Sequence, residues 1–276
     1  MTNKANDGSF LLRLRYSTDP DADTFFEWRG SVFAFIPGEP PKRVFECVGM
    51  NVGKATIKDG KVVSTSRELT YYLDPQTHEK LVQWENPWTG EKLSVMHIAN
   101  DPVQMALPCA IPLNVRPDPF TGMSRLVTEI PLFYPNPLAT REGTFDEYDS
   151  SKMYQAGEFF TFTCPTASIE QNDGTIDKVQ INWTRISRFP PFMKMGNKQG
   201  YLVYHCTGYK LPPNATFRDL QSPVLVKEIE ARVPTYAHAP EAYDPNVKSV
   251  SSWSYFRQHF EEYKNNPDLE WPPKEQ

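Results

Sequence analysis

His97-Ile-Ala-Asn-Asp-Pro-Val103 puts a histidine, an amide and a carboxylate within one short run. A histidine at a strand end can act as general acid or base, with Asp101 orienting His97 and Asn100 binding substrate. The same run also reads as a turn, in which Asn100 and Asp101 cap the backbone ahead of Pro102 and His97 is a satisfied core residue. A metal is the third option: His97 and Asp101 are joined by His205 in a two-histidine, one-carboxylate set. The His-x-Asp/Glu spacing of many iron oxygenases is missing, so no metal is expected.

Trp183-Thr-Arg185 lies in an alternating run, so Trp183 and Arg185 share one face. An arginine beside a tryptophan can clamp an oxyanion or enolate in an apolar pocket. It can equally pack over the indole on an outer face as a cation–π pair. A buried arginine without a carboxylate partner is costly, which favours an anionic or enolic ligand group as its partner. Met193 and Met195, after Pro190-Pro191, are adaptable side chains for a pocket wall or for ordinary core. Tyr204 and His205 are neighbours on a strand, so at most one of them enters a cavity, and Tyr72 stands to Tyr71 in the same way. Trp84 and Trp88 flank Asn86-Pro87 and read best as a Trp-anchored turn, with Trp84 also a candidate for substrate contact. Arg67-Glu68 reads as a surface or barrel-end ion pair.

Candidate catalytic residues are therefore His97, Asp101 and Arg185. Candidate substrate-binding residues are Tyr72, Trp84, Asn100, Trp183, Met193, Met195, Tyr204 and His205. No Gly-x-Gly-x-x-Gly, Walker lysine or Gly-x-Ser-x-Gly elbow occurs, which argues against dinucleotide redox, phosphoryl transfer and serine hydrolysis. No cofactor is expected.

The elements that position these residues are short and numerous. The 26 prolines, against 14 glycines, cannot sit inside helices or central strands, so they punctuate the 276 residues frequently. That excludes a long-helix bundle. About a dozen segments alternate like strands: Trp28–Ile36, Arg43–Gly49, Glu68–Leu73, Lys80–Trp84, Leu93–Ile98, Ser124–Phe133, Glu158–Cys164, Val179–Ile186 and Tyr201–Thr207 among them. Ser9–Tyr16 reads as a strand or a helical turn, and Leu220–Ala231 as a weak helix or a strand. Ser252 reads as the cap of a helix whose aromatics Tyr255, Phe256, His259, Phe260 and Tyr263 share a face. Strands without intervening helices predict an antiparallel sheet. The expected fold is mostly β, a lipocalin-like antiparallel barrel with one C-terminal helix; a sandwich is the runner-up. The chain reads as one domain, 1–276, with a C-terminal helix over 250–266 and an extended tail over 267–276.

The net charge of −5 gives no basic face for nucleic acid or anionic membrane. No apolar run is long enough to span a bilayer. The polar N-terminus has no signal-peptide core, and the four scattered cysteines read as free thiols, so a cytoplasmic location is expected. Asn182-Trp-Thr and Asn214-Ala-Thr match a glycosylation pattern that carries no weight without secretion.

Several blocks occur together in order: the tyrosine pair before Asp74-Pro75, Trp84-x-Asn-Pro-x-Thr-Gly90, His97-x-x-Asn-Asp-Pro-Val103 and Met193-x-Met-Gly196. With these, the chain from about Trp28 to Pro240 resembles the domain-of-unknown-function family number eighteen thirty-eight. The resemblance implies a homologous fold over about 28–240 and no particular reaction. Lys54 stands where the family pattern leads one to expect arginine, which would alter ligand preference if that position met the ligand.

The expectation is a cofactor-free, non-redox enzyme (isomerase, lyase or cyclase, pericyclic chemistry included) acting on an apolar or aromatic intermediate of polyketide or terpene type. A non-catalytic lipocalin-like carrier and a metal-dependent oxygenase are the alternatives. The expected partners are this small hydrophobic substrate and, as an option, a second copy of the chain.

Overall fold

Alternation carries the chain through eleven strands in the computed structural model, which describes residues 8–171 and 174–276. The N-terminal reading falls mainly on residues 1–7, outside the described ones. The strands are β1 (Thr24–Phe35), β2 (Lys42–Lys58), β3 (Lys61–Leu73), β4 (Gln83–Glu85), β5 (Lys92–Ser94), β6 (Ile98–Pro108), β7 (Val115–Asp118), β8 (Met123–Pro135), β9 (Met153–Pro165), β10 (Gln180–Ser187) and β11 (Tyr201–Lys210). Nine form one antiparallel sheet, in the order β6-β3-β2-β1-β11-β10-β9-β8-β7, and β4-β5 make a small separate ribbon. The sheet curls into a half-barrel. Its hydrogen bonding is open, with β6 at one edge and β7 at the other.

The longest hairpin joins β2 to β3 through Asp59-Gly60. Both residues have positive φ, 50° and 69°. A two-residue turn of that hand matches the twist of the strands it connects, and Asp-Gly accepts it readily.

Five helices occur among the described residues, where one was expected: α1 (Gly8–Arg15), α2 (Thr166–Glu170), α3 (Pro223–Ala231), α4 (Ser252–Gln258) and α5 (Phe260–Asn265). Ser9–Tyr16 is thus helical. The predicted C-terminal helix is two short ones broken at His259, and its N-cap is Ser251 rather than Ser252, accepting from the Ser254 N–H at 3.2 Å. The expected turn at Asn100-Asp101-Pro102 is instead interior to β6, which pairs with β3 through a register shift between Ser66 and Glu68.

Both faces of the sheet are used. On the convex side, Phe25, Met50, Leu69 and Tyr71 pack against Leu225 and Ile229 of α3. Glu27 anchors that helix, its carboxylate accepting from the backbone N–H groups of Gln221 and Ser222 at 2.7 Å each. At one end, the Lys210 ammonium gathers the carbonyls of Arg13, Leu14 and Tyr16, which closes the C-terminus of α1. The concave side is different: it is only partly filled.

Candidate functional site

The strand register lays the concave face out in rows. One row runs Asn100–Glu68–Asn51–Phe26. The next runs Ile98–Thr70–Gly49–Trp28–Gly208–Ile181. The third runs Tyr72–Cys47–Gly30–Cys206–Trp183–Phe160. The fourth includes Val32–Tyr204–Arg185–Glu158–Ile130. In the second row Trp28 stands between two glycines. A methyl group at Gly49 would land on Trp28 Nε1 and Thr70 Oγ1, and one at Gly208 would meet Trp28 Cβ at 2.8 Å. Small residues below and large aromatics around them leave a cavity of about 580 Å³. That is within the range of small-molecule sites.

The open side of the half-barrel is filled by α4 and the serine-rich segment before it. Residues 249–254 and Phe256 line the cavity together with β6 residues on one edge and β8 residues on the other. Gln104 of β6 stitches this segment down: its side chain donates to the carbonyls of Asp244 and Val247 at 2.9 and 2.8 Å and accepts from the Asp244 N–H at 2.7 Å. From the other flank, Trp253 Nε1 donates to Asp149 Oδ2 at 3.0 Å.

Two polar groupings break the aromatic wall. Arg185 pairs with Glu158 across β10 and β9 and donates to the Tyr154 hydroxyl. Burial opposes its charge, but the tyrosines around it, Tyr154 and Tyr204 foremost, hold its pKa above the ordinary value. Tyr72 and Tyr204 share a hydrogen bond at 2.8 Å, and burial pushes both phenols up, so both stay protonated. The second grouping is Glu68, which accepts from Asn100 Nδ2 at 3.3 Å. Burial raises the Glu68 pKa, and the Asn100 hydrogen bond and the charges of Arg15 and Arg185 only partly offset this.

Of the residues singled out in the sequence, Tyr72, Asn100, Trp183, Arg185 and Tyr204 converge on this cavity. Trp183 and Arg185 enter together, as alternation requires. Arg185 does have a carboxylate partner, contrary to expectation, because Glu158 lies opposite it in the register. His97 is behind the wall rather than in it. Its Nδ1 accepts from the Tyr72 N–H at 3.0 Å, and its ring packs on Tyr71 and Tyr72. Burial lowers its pKa to about 3, so the ring is neutral at ordinary pH. Asp101 does not orient it; that carboxylate pairs with Arg67 at 2.9 Å. Arg67 and Glu68 therefore do not pair: adjacent on β3, they point to opposite faces.

Trp84 packs on Phe45 and Trp88 outside the cavity. Met193 and Met195 are buried around Asn86, whose Nδ2 donates to the Met193 carbonyl at 2.8 Å. His205 is exposed on the convex face beside Thr184. His97, Asp101 and His205 thus do not come together, and among the described residues no three His, Cys, Asp or Glu side chains form a metal-binding group. Lys54 pairs with Asp23 at 3.7 Å and is not part of the cavity wall. The four cysteines are free thiols. No helix among the described residues is long and apolar enough to cross a membrane.

Sequence reasoning passed over Glu68, Glu158, Tyr154 and Trp28. The alternation that placed Arg185 inward also separates Glu68 from Arg67, so that signal was available. Trp28 depends on its two glycine neighbours, which only the pairing of β1 with β2 and β11 brings together.

Fold and site define a curled antiparallel half-barrel enclosing an aromatic, small-molecule-sized cavity with a few buried polar groups. The chain belongs to the family described as Protein of unknown function (DUF1838), which matches residues 21–260. No curated protein matches it.

Proposed function

We propose that this protein is a cofactor-free, non-redox enzyme that moves protons within an apolar or aromatic carbonyl compound, of polyketide or terpene type, held in the half-barrel cavity. One observation carries the reading: Glu68, a carboxyl group with a pKa raised by burial, stands on the wall of an aromatic cavity that also holds Arg185 and a pair of protonated tyrosines. A carboxylate of raised pKa is a better base than an exposed one and keeps its proton to higher pH.

In the proposed step, ionised Glu68 takes a proton from the carbon next to the substrate carbonyl. The C–H electron pair becomes the C=C bond of an enolate, and the negative charge moves to oxygen. Arg185 and the phenols of Tyr72 and Tyr204 are the donors that stabilise that charge in a water-poor site. Where a further C=C is conjugated with the enolate, return of the proton from Glu68 to its γ-carbon shifts the double bond and gives an isomer. Loss of a leaving group from the β-carbon gives a lyase product, and attack of the enolate carbon on a second carbonyl gives a ring. The acid–base role falls to Glu68 rather than His97 because His97 is neutral, hydrogen-bonded to backbone and outside the cavity.

The test is deuterium exchange into 2-tetralone, an aromatic ketone with acidic α-protons, in deuterated buffer followed by proton NMR. The protein should accelerate exchange, and Glu68→Gln should remove the acceleration while leaving ketone binding intact. Binding with exchange at the buffer rate would favour the carrier instead.

A further inference from the structure

The cavity wall carries two arginines and two glutamates: Arg15, Arg185, Glu68 and Glu158. Arg185 and Glu158 neutralise each other. Arg15 has no such partner: its guanidinium forms no ion pair and no hydrogen bond among the described residues. It lies over the rings of Tyr16 and Phe162, 5.6 and 5.9 Å from their centroids. Closing the end of α1 does not occupy it. The carbonyls of Arg13, Leu14 and Tyr16 go to Lys210, and Arg13 spends its own guanidinium on the carbonyls of Gly174 and Ser168.

Neutral donors stand at the same end. Asn51 lies between Glu68 and Phe26 in the strand register, and Phe26 meets Phe162 edge to face with centroids 6.4 Å apart, beside Arg15. Ser64 shares the inward face of β3 with Ser66 and Glu68. Tyr16 comes down next to Ser66, over Gly53, which brings the end of α1 to this wall. The side chains of Asn51 and Ser64 line the cavity and make no hydrogen bond among the described residues, although Ser64 is only 3% exposed. Their polar atoms are not sealed into the wall. A guanidinium held on aromatic faces, with an amide and a hydroxyl nearby, is a donor set for a carboxylate. One unpaired positive charge on a wall that also holds Glu68 suits a single negative charge better than the two of a phosphate.

We infer that the substrate is an aromatic carbonyl compound bearing one carboxylate, which docks on Arg15, Asn51 and Ser64 while the carbonyl oxygen points toward Arg185 and the Tyr72–Tyr204 pair. This deepens the function proposed above and rests on that reading for the carbonyl end alone. The two poles are well separated. Phe162, beneath Arg15, and Glu158, the partner of Arg185, are four residues apart on β9, about 13 Å at the usual rise of a strand. A molecule that meets both poles needs an extended frame, such as two or three fused rings, and a single ring reaches one pole only.

The experiment measures the affinity of the full chain for two matched probes, 2-naphthoate and 2-naphthamide, by isothermal titration calorimetry near neutral pH. They have the same shape and differ in the charge of the group on the ring. Naphthoate should bind at least about tenfold more tightly, the scale of one charge-assisted hydrogen bond. Arg15→Gln should abolish that preference, Arg15→Lys should keep part of it, and Asn51→Leu should weaken naphthoate severalfold. Arg185→Gln should leave the preference in place. Equal affinities in the unsubstituted protein would overturn the inference, as would failure of naphthoate to bind or a preference that survives in folded Arg15→Gln. A preference lost on Arg185→Gln but not on Arg15→Gln would seat the carboxylate at the other pole and overturn it as well. Should Arg15→Gln not fold, the ratio in the unsubstituted protein and the Asn51→Leu result decide. The naphthalene probes carry no ketone and 2-tetralone carries no carboxylate. Loss of exchange therefore strikes the catalytic reading, and loss of the naphthoate preference strikes this one.

Discussion

Arg185 on β10 and Glu158 on β9 face each other directly in the strand register and form an ion pair on the cavity wall. The pair is mostly shielded, with side chains 17% and 16% exposed. Removing one member leaves the other in a poorly solvated place without its countercharge. Arg185→Met and Glu158→Leu should each cost up to about 3 kcal/mol, the lower end for a buried pair because each side chain keeps some exposure. The double variant should recover most of that loss. Urea unfolding of the four proteins measures it, and strictly additive losses would show that the two side chains are not coupled.

Glu68 makes a pH-dependent prediction with a defined sign. Its pKa is raised on folding, so the native state holds this proton more tightly than the unfolded chain does. Stability from this group is fully present below the ordinary carboxylate range and is lost as pH rises through the raised value. Glu68→Gln, which cannot ionise, should therefore change the midpoint of thermal unfolding little at pH 4 and raise it by a few degrees at pH 8. A gap between the two proteins that does not widen with pH would contradict the assignment. Stabilisation together with loss of tetralone exchange is the behaviour of a group kept for function at the expense of stability.

His97 carries the opposite sign. Its pKa falls on folding from 6.5 to about 3, so its contribution is present above the ordinary histidine value and is lost as pH falls toward 3. Asn can replace the acceptor that receives the Tyr72 N–H. His97→Asn should lose some packing at pH 7 and should narrow its deficit against the unsubstituted protein as pH drops to 4. Its tetralone exchange should stay within about twofold of the parent, which follows from the ring lying behind Tyr72. A collapse of exchange in folded His97→Asn would restore His97 to the chemistry.

These contrasts explain what could be read in advance. Alternation is local, and it correctly placed Trp183 with Arg185 and separated Tyr204 from His205. Applied to Arg67-Glu68 it would have turned Glu68 inward; the opposite charges side by side suggested an ion pair that strand geometry forbids. The polar run at 97–103 looked like a loop because Asn, Asp and Pro favour turns, yet β3 supplies a partner strand, and a register shift between Ser66 and Glu68 accommodates the pairing. Tertiary pairing overrode local preference there. The Asp59-Gly60 hairpin signal was present in the chain and would have revealed the long β2–β3 pair. The gap filled by α4 has no local signature, since it arises only where the two edges of the curled sheet stay unpaired.

Gly49 is the floor on which the Trp28 indole rests. A methyl group there would strike both Trp28 Nε1 and Thr70 Oγ1, and one at Gly208 on the other strand would meet the Trp28 Cα and Cβ. Gly49→Ala must push the indole into the cavity or spread β1 from β2. Overpacking of this kind costs about 1–3 kcal/mol. The variant should unfold at lower denaturant concentration, show an altered near-ultraviolet tryptophan spectrum and bind 2-tetralone at least tenfold more weakly. Unchanged spectrum and affinity would mean that the floor has slack.

Gln104 holds down the segment that leads into α4. Three hydrogen bonds tie its side chain to the backbone of Asp244 and Val247, and its own N–H donates to Ser249 Oγ at 2.9 Å. This seam is where the segment leading into α4 lies along the edge strand β6, and no ladder of strand pairing reinforces it. Gln104→Glu keeps the acceptor for the Asp244 N–H but replaces the donor amide with a carboxylate facing two carbonyls. Two bonds are lost and the contact turns repulsive. At about 1 kcal/mol for each lost bond, opening of the segment should become at least tenfold more frequent. Hydrogen–deuterium exchange should accelerate across residues 247–254 while β1–β3 stay protected, and 2-tetralone should both bind and leave faster with a smaller change in affinity. If exchange in 247–254 is unchanged, or if it rises together with that of the sheet, the segment does not open as a separate unit and the ligand must enter elsewhere.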